Sequence, residues 1–286
     1  MTSKWSSCHL VILSRLGVNA VYTWNWDPSL LIGLALQVGV YLACIGPLRG
    51  RFPGSLPVPP ARMQTFLLGS LVLFIALVSP IDTLGDRYLL SAHMVQHMLI
   101  TLVAPPLLLI GTPPWMFRPL LRLPLVLPLG RWLTSALVAF LAYNITFSLW
   151  HVPRYYEATL QSLPIHIIEH VMFFSTAALM WWPIFSPLNE LPRLPDPLQC
   201  LYLFFASLPP TILGALITFS DSILYPTYGR APRVWGLSPE IDQQAAGLIM
   251  WIPGALVFLL VLTIVWFRWL GRDEYEQSQD VRPVLR

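Results

Sequence analysis

Seven long apolar stretches, separated by short polar segments, dominate the pattern of hydrophobic positions along the chain. Each is close to the roughly 20 residues that a helix needs to cross the hydrocarbon core of a bilayer. The pattern predicts an all-α polytopic membrane protein with seven transmembrane helices, in which residues 1–271 form one transmembrane domain and residues 272–286 a polar cytoplasmic tail. The predicted spans are residues 28–46, 63–79, 88–110, 132–150, 164–185, 198–219 and 244–269.

Composition agrees with this class. Of the 286 residues, 56% are hydrophobic and only 11% are charged, whereas a soluble domain has about 25% charged residues. The net charge of +3 is modest, and the arginines are grouped in the segments between spans, which indicates membrane topology and not nucleic-acid binding. The three cysteines form no CxxC pattern, which argues against a disulfide framework or a thiolate zinc site.

The distribution of positive charge predicts the direction in which the chain crosses the membrane. With the N-terminus outside, the inner segments hold eleven Lys and Arg residues and the outer segments six. Because cytoplasmic loops carry an excess of these residues, we expect the N-terminus outside and the C-terminus inside. The inner residues are Arg49, Arg51, Arg62, Arg118, Arg122, Arg131, Arg193, Arg268, Arg272, Arg282 and Arg286; the outer ones are Lys4, Arg15, Arg87, Arg154, Arg230 and Arg233.

Two of the apolar spans contain a pair of histidines. His93 and His97 in the third span are four residues apart, and His166 and His170 in the fifth span repeat this spacing 73 positions later. Four residues are about one helical turn, so both imidazoles of a pair project from one face. Ionisable groups inside a span are costly and indicate function. In the predicted topology both pairs lie in the outer leaflet, where they can offer nitrogens to a metal ion.

The two paired spans belong to segments that resemble one another. Pro80 precedes His93 by thirteen residues, and Pro153 precedes His166 by the same interval. This offset predicts a tandem duplication of the hairpins formed by spans two and three and by spans four and five. Coincidence between two membrane hairpins is the alternative.

Six further residues are candidate metal ligands at the same outer level. They comprise a fifth histidine at the end of span four, acids before or within the paired spans, an acid that opens span seven, and a thioether that favours Cu(I). For three of them an ordinary role competes: an interface aromatic for the histidine, a helix N-cap for the acid of span seven, and core packing for the methionine. The six residues are His151, Asp82, Asp86, Glu169, Asp242 and Met250.

Three function classes are compatible with these residues. The first is copper binding and transfer at the outer face. The second is an intramembrane zinc metallohydrolase, since His166, Glu169 and His170 match H-x-x-E-H, in which the glutamate acts as general base. The third is a haem-binding membrane cytochrome with axial histidines. Gln96 stands where Glu169 does in the other pair and cannot act as a base, which weighs against the hydrolase.

The chain also resembles a known family, the caa3-type cytochrome c oxidase assembly factors (CtaG-like proteins). The resemblance extends from about Asp27 to Trp269 and is carried by SPIDTLGDRYLLSAHMVQHMLI in residues 79–100, the LWHVP corner around His151, the second histidine pair before Trp-Trp-Pro, and DQQAAGLIMWIPG in residues 242–254. It implies a multi-pass protein of the bacterial plasma membrane that matures a haem–copper oxidase by copper delivery, without catalytic turnover. The implied partners are oxidase subunits, with a periplasmic or extracytoplasmic copper chaperone as a further candidate. The positions that match are Asp82, Asp86, His93, Gln96, His97, His151, His166, His170, Asp242, Gln243 and Met250.

Overall fold

A computed structural model describes the backbone of residues 21–281 and the side chains of residues 21–272. All regular secondary structure within these residues is helical. Six helices are long and apolar enough to cross a membrane, and the number is seven when a bent helix pair is counted as one span, which confirms the predicted fold class. The six are Pro28–Ile45, Pro60–Val78, Leu90–Gly111, Leu163–Phe185, Asp196–Thr218 and Pro239–Arg272, and the bent pair is Val126–Leu133 with Ala136–Trp150.

The outward N-terminus stays a prediction from the arginine bias. Lys4 and Arg15, which contribute to that bias, lie outside the described residues, as do His9 and residues 282–286 of the predicted tail. We name the spans one to seven in chain order. The end of the bundle at which spans three, five and seven begin is called the histidine end.

Short helices connect the spans, and several begin with a proline at the first helical position. Proline is well suited there because its fixed φ matches the helix and its missing N–H has no partner to lose. Two of these helices directly precede the histidine spans, and we call Pro80–Arg87 loop helix A and Pro153–Gln161 loop helix B. The remaining short elements are the 3₁₀ turn Arg49–Arg51 and the helices Pro114–Leu121 and Pro226–Arg230.

The fourth span differs from its predicted bounds of 132–150. The helices Val126–Leu133 and Ala136–Trp150 meet at an angle of 69°. At the bend, the hydroxyl of Thr134 donates to the carbonyl of Gly130 (2.7 Å) and that of Ser135 to the carbonyl of Trp132 (2.7 Å). Such local side-chain bonds compete with the helical ladder, so the straight part of this span starts at Ala136.

The seventh span is longer than the predicted 244–269. It begins at Pro239, where the Ser238 hydroxyl accepts from the N–H of Ile241 (3.3 Å), and its backbone stays helical to Val281. The helix therefore includes polar turns at both ends, which an apolar pattern does not mark. The first ten residues of the predicted polar tail continue the helix.

Span three contains a break just below its histidine pair. Leu90–Met98 is α-helical, Leu99–Val103 forms a π-helical turn, and Ala104–Gly111 is again α-helical. Pro105 and Pro106 have no N–H, so carbonyls one turn earlier lose their helical partners. The carbonyl of Thr101 accepts from the indole N–H of Trp181 in span five instead (2.9 Å). This bond satisfies a freed backbone group, as membrane helices require, and joins spans three and five.

Spans six and seven are packed unusually closely. A Cβ added at Gly214 would lie 2.8 Å from the carbonyl oxygen of Gly247, so only small residues permit this approach. At the end of the bundle opposite the histidines, Arg268 of span seven donates to Asp196 of span six (2.8 Å). Span seven is thereby fixed along its length, which positions its first turn at the histidine end.

Candidate metal centre

The starts of spans three and five bring the four paired histidines together. The Nε2 atoms of His93 and His97 are 2.8 Å apart, and those of His166 and His170 are 3.1 Å apart. Across the two spans, the ring centroids of His93 and His166 are 5.7 Å apart and those of His97 and His170 are 5.6 Å apart. The expected convergence of the two pairs is therefore present in the structure.

The potential ligand atoms fall into two overlapping groups. His93, His97, Glu169 and His170 each offer an atom within 4.8 Å of the others, and we call this set the buried group. Asp86, His93 and His166 satisfy the same criterion and form the rim group. The names follow the residues that are not shared: the side chains of His97 and Glu169 are 0–2% exposed and that of Asp86 is 31% exposed, whereas the buried His93 belongs to both groups.

The buried group contains polar atoms without hydrogen-bond partners among the described residues. Both carboxylate oxygens of Glu169 and the Nδ1 atom of His97 are buried and have no hydrogen-bond partner among these residues. The same holds for Oδ1 of Asp86 in the rim group. The Thr159 hydroxyl beside Glu169 gives its hydrogen to the carbonyl of Tyr156 (2.7 Å). Buried polar groups normally have hydrogen-bond partners, so these unpaired acceptor atoms indicate that the cluster lacks a positively charged partner. Imidazole nitrogens with carboxylate oxygens fit a transition-metal ion such as copper or zinc.

Tyr228 orients His93. Its hydroxyl donates to the carbonyl of Gly85 (2.6 Å) and lies 3.3 Å from Nδ1 of His93. Since the one hydroxyl hydrogen is directed to Gly85, the oxygen accepts from an Nδ1–H, which leaves the lone pair of His93 on Nε2, facing His97. Gly85 itself permits the approach of loop helix A to span three, because a Cβ there would lie 2.9 Å from Cα of His93.

His151 lies against the cluster but in neither group. Its Nδ1–H donates to the carbonyl of Phe147 (2.7 Å), and its buried Nε2 has no hydrogen-bond partner among the described residues. Its ring centroid is 5.9 Å from that of His97. The expected convergence of five histidines is present, although His151 belongs to neither group of candidate ligand atoms.

One acid and one methionine expected at the metal have other contacts. Asp242 accepts from the backbone N–H groups of Leu90 (2.7 Å) and Ser91 (3.1 Å), so it caps span three across the chain. Met250 is buried at the interface of spans six and seven, with its Cβ 3.2 Å from the Cβ position of Gly214. The carboxylate oxygens are thus used in capping and the thioether in packing, and neither residue belongs to the two ligand groups. Their role as ligands stays a prediction.

Asp82 is also outside both groups. Its carboxylate accepts from Nδ2 of Asn25 (2.9 Å) and Nε2 of Gln96 (2.8 Å), which fixes loop helix A to the neighbouring spans. Burial, followed by the negative charge of Asp86, raises the pKa of Asp82 to about 6. Burial raises the pKa of Asp86 to about 7, against the opposing effect of Arg87. Asp82 therefore acts as a structural acid in these contacts, and its place among the ligands stays a prediction.

Sequence reasoning missed the tyrosines that cover the cluster. Tyr156 of loop helix B has its ring centroid 5.2 Å from that of His93, and its hydroxyl lies 3.2 Å from that of Tyr228. Tyr225 donates to the carbonyl of His151 (2.8 Å). All three are buried. The sequence signal of Tyr225 and Tyr228 is the aromatic spacing YPTY in the segment before span seven, whereas Tyr156 lies in the Tyr-Tyr pair of loop helix B.

A side cavity of about 600 Å³ opens beside the cluster, between span one and span five. Its polar end is bordered by Asp82, Asp86, His166 and His170, and its remaining wall is largely apolar. Span one contributes little packing there, since Tyr41 is the only buried residue of Pro28–Ile45. The cavity therefore gives the rim group a route to the surroundings.

Comparison with known proteins decides the family. The model of the cytochrome c oxidase caa3 assembly factor family matches residues 39–272, which include the whole histidine cluster. The chain belongs to this family. The resemblance seen in the sequence is thus confirmed, and the function that the family description supports is assembly of cytochrome c oxidase.

Similar curated proteins come from mycobacteria and are uncharacterized. The chain is 26% identical over 273 residues to a protein of Mycobacterium leprae (strain TN), covering 87% of this chain and 40% of the relative. It is 27% identical over 280 residues to proteins of Mycobacterium bovis and Mycobacterium tuberculosis, covering 91% of this chain and 41% of each relative. The chain thus spans about two fifths of the length of these relatives. No solved structure matches the chain.

Proposed function

We propose that this assembly factor binds copper at the histidine cluster and delivers it to a subunit of cytochrome c oxidase in the bacterial plasma membrane. The role is binding and transfer, without catalytic turnover. A copper chaperone on the outer side is the proposed source of the ion. In this proposal copper is the cargo of the protein.

The observation that carries the proposal is the buried group. His93, His97 and His170 surround a carboxylate, Glu169, that is 0% exposed and whose oxygens accept no hydrogen bond among the described residues. An unpaired buried charge is strongly unfavourable, and a bound cation removes this cost. Imidazole suits copper, zinc, iron and nickel. The family membership favours copper among these, because haem–copper oxidases must receive it during maturation.

Metal analysis of the purified protein tests the proposal. After loading with copper and desalting, we expect about one copper per chain in the wild type and a loss of most of it in His97→Ala and His170→Ala, since each removes a nitrogen ligand. Oxidase activity of membranes should fall in parallel while the variants still accumulate. Met250→Leu is the matched control, because the thioether lies in the packing of spans six and seven, and it should retain copper.

The alternatives give different results in the same experiment. A haem cytochrome would show a visible absorption spectrum on purification, and a zinc metallohydrolase would retain zinc in preference to copper. Wild-type protein without copper, or His97→Ala with undiminished copper, contradicts the proposal.

A further inference from the structure

We propose that the cluster provides two successive positions for the ion, the rim group for loading and release and the buried group for holding it. This inference rests on the proposed function and adds a path to it. The ligand is a copper ion, and the rim group is the part of the site that exchanges it with a partner.

The first argument is the register of the two spans. The ring centroid of His93 is 5.7 Å from that of His166 and 6.1 Å from that of His170, and the centroids of His97 and His170 are 5.6 Å apart. His93 is therefore shared by two levels, of which His166 belongs to the first and His97 to the second. Each level has its own carboxylate. Oδ1 of Asp86 is 3.6 Å from Nε2 of His166, and Oε1 of Glu169 is 3.9 Å from Nε2 of His97.

The second argument is the short distance between the levels. Nε2 of His166 is 3.1 Å from Nε2 of His170, which belongs to the buried group. Two ligands on opposite sides of one ion are about 4 Å apart, since metal–imidazole bonds are about 2.0–2.1 Å long. An ion held by Asp86 and His166 can therefore contact His170 before it leaves the rim group. Exchange of one ligand at a time avoids releasing a bare ion inside the bundle.

The third argument is access. The Asp86 side chain is 31% exposed and that of His166 is 10% exposed, and both border the side cavity. His93, His97 and Glu169 are 0–2% exposed and do not border it. An ion that arrives through the cavity therefore meets Asp86 and His166 before the fully buried ligands. His170 of the buried group is half-buried and borders the cavity as well, so it is the residue that receives the ion from His166.

Stopped-flow measurement of copper transfer tests the two positions. Full-length protein in detergent is loaded with Cu(I) from a Cu(I)–chelator complex, and the loading rate is recorded. The release rate is recorded when an excess of the free chelator withdraws the copper. The copper bound per chain is measured at equilibrium. Asp86→Asn removes the carboxylate that attracts the ion, so we expect loading to slow by about tenfold, the lower range for loss of charge steering. Release should slow in the same proportion, because the ion leaves through the same position and the intact buried group still sets the equilibrium. About one copper per chain should remain at equilibrium.

His166→Gln is the second rim variant, and it should slow transfer in the same way if Asp86→Asn does not fold. Glu157→Gln is the matched control, because this acid of loop helix B is bound to Thr227 and belongs to neither group. It should exchange copper at the wild-type rate. His97→Ala, in contrast, should lose the bound copper.

The outcomes separate the two proposals. Wild type without bound copper refutes the proposed function. Copper-binding wild type with rim variants that exchange at the wild-type rate overturns the rim position alone. Rim variants that lose copper at equilibrium also overturn the inference, because the rim group would then hold the ion.

Discussion

The two histidine-bearing hairpins share a plan but differ in chemistry at the position just before the second histidine of each pair. Loop helices A and B begin at Pro80 and Pro153, and the histidine spans begin at Leu90 and Leu163, each pair separated by the same 73 positions. This parallel order supports the predicted duplication, which stays a prediction. At the shared position between the histidines, the first hairpin has Gln96 and the second has Glu169.

The environments of these two side chains explain the difference. Gln96 donates to Asp82 (2.8 Å) and to the carbonyl of Ala76 (3.0 Å), so it holds loop helix A in place. Glu169 has no donor of this kind and points at His97. One hairpin uses the position for structure, and the other leaves a carboxyl group without a hydrogen-bond donor. Two hairpins of one plan can thus divide support and chemistry between residues at the same position.

Introducing the glutamate of the second hairpin into the first should have the largest effect, a loss of unfolding free energy. Gln96→Glu places a carboxylate beside Asp82 and removes both hydrogen bonds from the amide. We expect the metal-free protein to lose about 3 kcal/mol of unfolding free energy, the cost of an unpaired buried charge. Denaturant unfolding in detergent measures it. Unchanged stability would contradict the structural role of Gln96.

The reverse change should act on copper. Glu169→Gln keeps the shape of the side chain and removes its charge, so we expect copper affinity to fall about 10–100-fold, as for loss of a supporting acid, with only partial loss of oxidase activity in membranes. Competition with a Cu(I) chelator measures the affinity. Complete loss of function with normal copper content would instead identify Glu169 as a general base.

Part of the pH dependence of stability should originate in loop helix A of the first hairpin, because Asp82 is buried there. Burial raises the pKa of Asp82 to about 6 in the folded protein, whereas an unfolded aspartate titrates near about 3.9. The folded state thus prefers the protonated acid, and its contribution to stability is present below about pH 4 and lost as the pH rises to about 6.

We therefore expect the stability difference between wild type and Asp82→Asn, both metal-free, to change by on the order of 1–2 kcal/mol between pH 4 and pH 7. Denaturant unfolding at several pH values measures it. A difference that is independent of pH would show that the carboxyl of Asp82 titrates normally.

The smallest expected effect concerns the helix starts. Asp242 caps span three, whereas Ser162 at the start of span five makes no side-chain cap bond. Asp242→Ala should cost about 1 kcal/mol of stability and leave the copper stoichiometry unchanged, and Ser162→Ala should cost little. Thermal unfolding and metal analysis of both variants test this. Loss of copper in Asp242→Ala would restore Asp242 to the ligands.

The sequence by itself determined the number of spans, the helical class and the two histidine pairs. These depend on local periodicity, since span length and spacing on one helix follow from backbone geometry alone. It also led to the family, because the motifs are contiguous stretches. The bend at Thr134 and the helical turns before residue 244 were missed, because polar residues at helix ends do not differ in pattern from loops.

Only the tertiary structure decided which acids face the histidines. Asp82, Asp86, Glu169 and Asp242 all lie at the histidine end, but just Asp86 and Glu169 belong to the candidate ligand groups. The other two are bound by donors from Asn25, Gln96 and the first turn of span three, which are distant in sequence. A carboxylate becomes available for a metal when no nearer donor satisfies it, and that depends on contacts between elements that no local pattern encodes.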